Sequence, residues 1–271
     1  MKSKSVGSVL KIAVCSAIAV FMLVPVVLLI SSSLKPPDQV MNLGLFNSPL
    51  TIESYVTVMK EDTFVQYMKN SFIVAGTVTI SALLFHAMAG YALARLRFVG
   101  KDAVFSWILS TMMVPFSVLM IPLFVIVKIF GLLNTLLGVI LPFIPHAYGI
   151  FLFRQFFLGI PSDLEEAATI DGASIIGIFY RIFLPLSKSI MIALGASFFI
   201  RNWNNYLWPL VVLRDRRLWL IQVAIAAYQH EYSMDWSRVL TACVVAITPI
   251  VILFFIFQNY LVEGVKLSGI K

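Results

Sequence analysis

The chain has 271 residues, 60% hydrophobic and only 12% charged, with a net charge of +7. Ordinary soluble domains run near 45–50% apolar with about 25% charged residues, so this composition excludes one and indicates an integral membrane protein. The basic residues fall singly or in small groups between apolar runs, not on the clustered basic face that nucleic-acid binding requires.

Hydropathy marks six runs of spanning length, about 20 residues or more: 9–31, 70–94, 103–127, 136–157, 184–210 and 239–262. Only helices satisfy backbone polar groups over runs this long and this unalternating. The expected fold class is therefore an all-α integral membrane bundle of six transmembrane helices, one domain over 1–271. The first run follows Lys2, Lys4 and Lys11. It exceeds a signal-peptide apolar region and lacks a clear cleavage site, so it reads as an uncleaved span.

Lys and Arg near span ends set orientation. The N-terminal tail, the turn from Arg95 to Lys101, and the tail 263–271 with Lys266 and Lys271 would all be cytoplasmic. Arg214, Arg216 and Arg217 then lie outside, against the rule. The outer segments are 35–69, opening "KPPDQV", and 211–238. Core spans occupy about 70–262. Pro115, Pro122, Pro142, Pro145 and Pro249 interrupt spans. Broken helices often surround a transport cavity, although tolerated kinks are common in membrane helices. Gly90/Ala94, Ala193/Ser197 and Ala242/Ala246 are small-residue pairs suited to close helix approach.

Catalytic chemistry finds no carrier. GxSxG, HExxH and the Walker A pattern are missing, so no residue is assigned a catalytic role; if ATP drives this protein, another subunit must bind it. Cys15 and Cys243 sit within spans, and no metal-ligand spacing occurs. His86, deep in the second span, reads as a histidine bonded to a neighbouring helix. No acidic residue lies securely at a span centre, which counts against an ion-coupled carrier or channel subunit, the alternative from another class.

The segment 164–174, "LEEAATIDGAS", is different: an acidic, alanine-rich stretch between the fourth and fifth spans. Ser162 and Glu165 have capping-box spacing. Asp163, Glu165 and Glu166 place negative charge where a helix N-terminus favours it. Gly172 suits a left-handed helix end. A short helix near 163–171 is expected, with Leu164, Ala167 and Ala168 along one side. A second stretch, 174–183, follows, and Leu184-Pro185 suits the start of the next span. The product is a helix–turn–helix elbow on the cytoplasmic face.

"EAATIDGASIIGIFYRIFLPL", residues 166–186, resembles the EAA loop of permease subunits in binding-protein-dependent ABC importers, within a loop of about 162–186. Glu166, Ala167, Ala168, Asp171, Gly172, Ala173, Ile182, Leu184 and Pro185 match that family's pattern. "SLKPPDQV", "FLFRQFF", "NWNNYLWPLVVL" and "YLVEGVKLSGIK" extend the resemblance over nearly the whole chain. It is most similar to the second permease of maltose- and glycerol-phosphate-type transporters. The resemblance implies a type I importer permease fold in a bacterial inner membrane, importing a sugar or oligosaccharide. It implies a sister permease, an ATPase dimer holding ATP and Mg, and an extracytoplasmic solute-binding protein, with no cofactor in this chain. The elbow would be the coupling helix: Glu166 pairs with a basic residue of the ATPase groove, Ala167 and Ala168 allow close approach, and Asp171 and Gly172 hold the turn.

"RNWNNYLWPL", 201–210, is the richest polar-aromatic patch. Arg201, Asn202, Trp203, Asn205 and Tyr206 are candidates for the substrate pathway. The same aromatics suit an interfacial belt. Arg201 with Arg214, Arg216 and Arg217 would suit an anionic sugar or glycerol phosphate, or the acidic face of a binding protein.

Overall fold

The computed structural model describes residues 6–42, 44–45, 48–231 and 235–269, and among these there is no β-strand. In chain order the helices are α1 (Val6–Ser33), α2 (Glu53–Lys60), α3 (Asp62–Arg95), α4 (Lys101–Ser110), α5 (Phe116–Ile129), α6 (Leu136–Ile140) and α7 (Ala147–Leu158). There follow α8 (Asp163–Ile170), α9 (Ile175–Ile178), α10 (Leu184–Leu186), α11 (Lys188–Trp203), α12 (Leu207–Val212), α13 (Ile221–Glu231) and α14 (Trp236–Gly269). Lys2, Lys4 and Lys271, used for orientation, lie outside the described residues.

Ser8–Ser33, Thr63–Arg95 and Trp236–Gln258 are each long and apolar enough to cross a membrane, and three bent helix pairs pass the same test. Those pairs are Lys101–Met113 with Phe116–Ile129, Leu136–Phe143 with Ala147–Leu158, and Ile175–Leu186 with Lys188–Trp203, bent by 105°, 41° and 75°. The sequence-marked runs at 103–127, 136–157 and 184–210 are thus broken helices. Proline explains two of the breaks. Pro115, extended at ψ 138°, stands at the N-cap of α5, and Pro145 precedes the break at His146. Lacking an N–H, proline cannot continue a helical ladder. Pro122 and Pro249 lie inside unbroken helices.

Three boundaries differ from the sequence reading. The fifth run ends at Trp203, because Asn204–Tyr206 turn the chain before α12. The segment 35–69 contains α2 and the first turns of α3, and the last run continues as helix to Gly269.

Two compact units emerge, Met1–Val65 with Ala224–Pro249, and Gln66–Val223 with Ile250–Lys271. In the first, Lys35 is buried, and its ammonium donates to the carbonyls of Asn42 and Gly44, the latter at 2.6 Å. The Glu61 carboxylate accepts from Tyr228 Oη and Arg238, each at 2.9 Å. These bonds satisfy polar groups that would otherwise be costly to bury.

The second unit has two apolar cores. One gathers Ala87, Tyr91, Phe153, Phe157, Ile178, Phe179, Phe183 and Leu194. The other gathers Val74, Val78, Val127, Val139, Trp208, Val212 and Leu220. Helices approach closely through small residues, as the Gly90/Ala94 spacing leads one to expect. A β-carbon at Gly90 would sit 2.6 Å from Phe153 Cβ.

Candidate functional site

The elbow begins where α7 ends. Ser162 has helical dihedrals, φ −65° and ψ −28°, and its side chain makes no cap. Its carbonyl instead accepts from Glu165 N at 2.9 Å and Glu166 N at 3.0 Å. The expected capping box is therefore not formed. An N-cap side chain reaches the first turn from an extended backbone, which Ser162 lacks, and Glu165 faces Arg95 at 3.8 Å.

At the other end the expectation holds. Gly172 has φ +80°. Ala173 N donates to Ala168 O at 2.9 Å and Gly172 N to Thr169 O at 3.0 Å. This bond pair is a Schellman closure, which needs the left-handed residue glycine supplies. No side-chain bond from Asp171 holds the turn among the described residues; its backbone N–H donates to Ala167 O at 3.0 Å. Ser174 then caps α9, accepting from Gly177 N at 3.1 Å.

The apolar ridge is rearranged. Ala168 and Ala173 turn inward onto the core. Leu164 is 44% exposed and Ile170 86%, with Ala167 exposed beside them. Ile175 and Ile176 continue the outward apolar surface. Glu166 is exposed, and its carboxylate makes no ion pair or hydrogen bond among the described residues.

Leu184 and Pro185 do not start the next long helix. A π-helical turn, Phe179–Phe183, leads into α10, and the chain breaks at Ser187 before α11. Pro185 cannot donate to the carbonyl four residues earlier, and the wider turn directly precedes it. Leu184 packs partly against the core, while Pro185 is exposed.

Arg95 is the anchor that sequence reading used only as a topology signal. It donates to Phe157 O at 2.6 Å and to Ile160 O, and its guanidinium lies 5.1 Å from the Phe183 ring centroid. It thereby ties the end of α3 to α7 and to the elbow. Arg154 donates to Leu93 O at 3.2 Å, and Lys101 to Ala94 O and Leu96 O, both at 3.0 Å. Arg154 and Lys101 so satisfy carbonyls at the C-terminus of α3, and Arg95 does the same at the end of α7, where positive charge is favoured.

The pathway candidates separate. Asn202 and Trp203 are buried: Asn202 Nδ2 donates to Phe198 O at 2.8 Å, and Trp203 stacks with Phe199 and meets Phe72 edge-on. Arg201 and Tyr206 are exposed, and Asn205 is half-buried. His86 is buried and, as read from sequence, bonds to a neighbouring element, accepting His146 N–H at 2.9 Å. His146, which sequence reasoning did not single out, faces Arg201 Nη1 at 2.5 Å.

The structure thus presents an exposed, charged helical elbow fixed to a bundle of broken helices that are long and apolar enough to cross a membrane. The chain belongs to the family described as the binding-protein-dependent transport system inner membrane component, whose model matches residues 86–267. The arabinooligosaccharides transport system permease of Halalkalibacterium halodurans is 37% identical over 259 residues, spanning 94% of this chain and 92% of that protein. The lactose transport system permease of Rhizobium radiobacter is 37% identical over 202 residues, spanning 74% of each. A solved bacterial ABC transporter involved in import of the acidic polysaccharide alginate shares the fold, with a TM-score of 0.86 at 24% identity, covering 96% of this chain and 99% of that one. This chain is accordingly a multi-pass inner-membrane permease with the helical type I importer fold, a transport component rather than a catalytic enzyme.

Proposed function

We propose that the chain forms half of the translocation pathway of an ATP-driven oligosaccharide importer. A sister permease supplies the other half, an extracytoplasmic binding protein delivers the saccharide, and an ATPase dimer holds ATP and Mg. The permeases for arabinooligosaccharides and lactose, each 37% identical to this chain, support a saccharide cargo.

The α8–α9 elbow is the coupling element, and one observation carries this reading. Glu166, Ala167, Leu164 and Ile170 stand exposed on a helix whose closing turn and whose Arg95 anchor leave it little freedom. A rigid, outward helix with an unpaired carboxylate fits a basic-rimmed groove on the ATPase. Ala167 permits close approach, and Gly172 aims the helix. Arg95, Arg97, Lys101, Arg154, Arg181 and Lys188 belong to the helix ends around this elbow, which supports a cytoplasmic elbow and cytoplasmic termini.

The test is purification of the detergent-solubilised complex, with ATPase activity assayed against candidate binding proteins and saccharides. Co-purification of an ATPase and a second permease, with saccharide- and binding-protein-stimulated hydrolysis, is expected. A lone species without nucleotide hydrolysis overturns the reading.

A further inference from the structure

Three elements of the second unit meet at one polar cluster. His86 comes from α3, His146 from the break before α7, and Arg201 from the last turn of α11. At a rise of about 1.5 Å per residue, His86 lies about 14 Å along α3 from Arg95, His146 about 18 Å from Leu158, and Arg201 about 20 Å from Lys188. All three distances run from the elbow end, and a hydrocarbon core is about 30 Å thick. The cluster therefore sits near mid-depth, at a broken helix, where transported solutes are commonly held.

Hydrogen bonding fixes how the cluster is wired. His86 Nε2 accepts the backbone N–H of His146, so it satisfies a donor that the helix break leaves free. The His86 ring is held there by Gly149, where a β-carbon would collide with Nδ1, and by an edge-on contact with Phe198. Arginine has no acceptor. His146 Nε2 must therefore accept from Arg201 Nη1, and the imidazole is neutral with its proton on Nδ1. Arg201 is thus aligned by a neutral partner. No carboxylate lies within 4.0 Å of it among the described residues, and its side chain is exposed.

A guanidinium at mid-membrane is costly unless it is paired or faces water. A hydrogen bond to neutral imidazole orients the charge without neutralising it. We propose that Arg201, positioned by His146, is a specificity-determining contact of the translocation pathway that takes the carboxylate of an acidic saccharide in preference to neutral hydroxyls. Its planar fork matches a carboxylate through two parallel bonds, and the charge-assisted bond is the stronger one. This inference rests on the saccharide-importer reading above and deepens it.

Two measurements on the reconstituted importer test it. In a chain whose Cys15 and Cys243 are replaced by serine, Arg201→Cys is exposed to a membrane-impermeant anionic thiosulfonate. Labelling is expected in the nucleotide-free or the ATP-trapped state, with rates differing about tenfold between states as access alternates. No labelling in either state, or equal rates in both, overturns the placement. Uptake is then compared for neutral and uronate-ended arabino- and galacto-oligosaccharides.

Arg201→Gln should reduce acidic uptake about tenfold more than neutral uptake. His146→Gln, which keeps an oxygen acceptor for Arg201, should retain the acid preference that His146→Leu loses. Equal loss for both sugar kinds, or no uptake of acids by the unmodified importer, overturns the specificity. Import of neither kind overturns the saccharide reading itself, whereas neutral import with an unaltered response to Arg201→Gln overturns only this inference.

Discussion

The Arg95 guanidinium lies 3.8 Å from the Glu165 carboxylate while donating to the carbonyls of Phe157 and Ile160. One side chain at the end of α3 thereby holds the exit of α7 and the first turn of the elbow. Its parts are unequal. The ion pair is partly exposed, and such pairs contribute no more than about 1 kcal/mol. When the arginine is removed, Phe157 O keeps only the Ile160 N–H, at 3.2 Å, and Ile160 O loses its guanidinium donor.

Arg95→Gln should therefore destabilise the subunit by about 1–3 kcal/mol, the cost of leaving such groups unmade. Glu165→Gln should cost less than about 1 kcal/mol. Thermal unfolding of the two purified variants in detergent ranks them. Equal losses would show that the ion pair, not the carbonyl contacts, does the anchoring.

His86 and Gly149 form a tight pair, because a β-carbon at 149 collides with the imidazole. Gly149→Ala should cost about 1–3 kcal/mol through overpacking. At Gly76 nothing lies within 4 Å of an added β-carbon, so Gly76→Ala should stay within about 1 kcal/mol of the parent. Unfolding temperatures of both variants check the contrast.

Asn134 adopts φ +57° and its Oδ1 accepts from Arg214 N at 2.9 Å and Asp215 N at 2.8 Å. Asn134→Gly keeps the left-handed backbone and loses the two bonds, whereas Asn134→Ala loses both features. Alanine should be the worse substitution, by about 1 kcal/mol. Hydrogen exchange across 212–219 measures the difference.

In that same turn, Arg217 bonds Asp215 through side chain and backbone and holds its carboxyl below the ordinary value of 3.8. A carboxylate whose folded pKa is depressed contributes above its unfolded pKa and loses that contribution as pH falls through the folded one. Exchange protection of the turn should be flat from about pH 5 to 8 and weaken only in acid below the usual carboxylate range. Asp215→Asn should remove that acid step.

Much of this architecture was legible in sequence because membrane spans and glycine turns are local signals. Gly172 announced its left-handed turn, and apolar runs announced the helices. The broken spans were less legible: Pro115 and Pro122 look alike in sequence, yet only Pro115 coincides with a break. Ser162 offered a capping box that Arg95, distant in sequence, superseded. Arg95 and His146 escaped notice as site residues because their roles come from long-range contacts with Phe157, Ile160 and Arg201, which no spacing rule encodes. Arg201 itself was visible as a lone cation beside an aromatic run, but its histidine partner was not.

The claim that the elbow transmits ATP-driven motion is tested most directly by saccharide imported per ATP hydrolysed in the reconstituted Gly172→Val importer. A β-branched residue is strained at φ +80°, so α8 should be misdirected while the subunit still inserts and co-purifies with its partners. The account predicts that the ratio falls about tenfold or more. A ratio equal to that of the unmodified importer would contradict it.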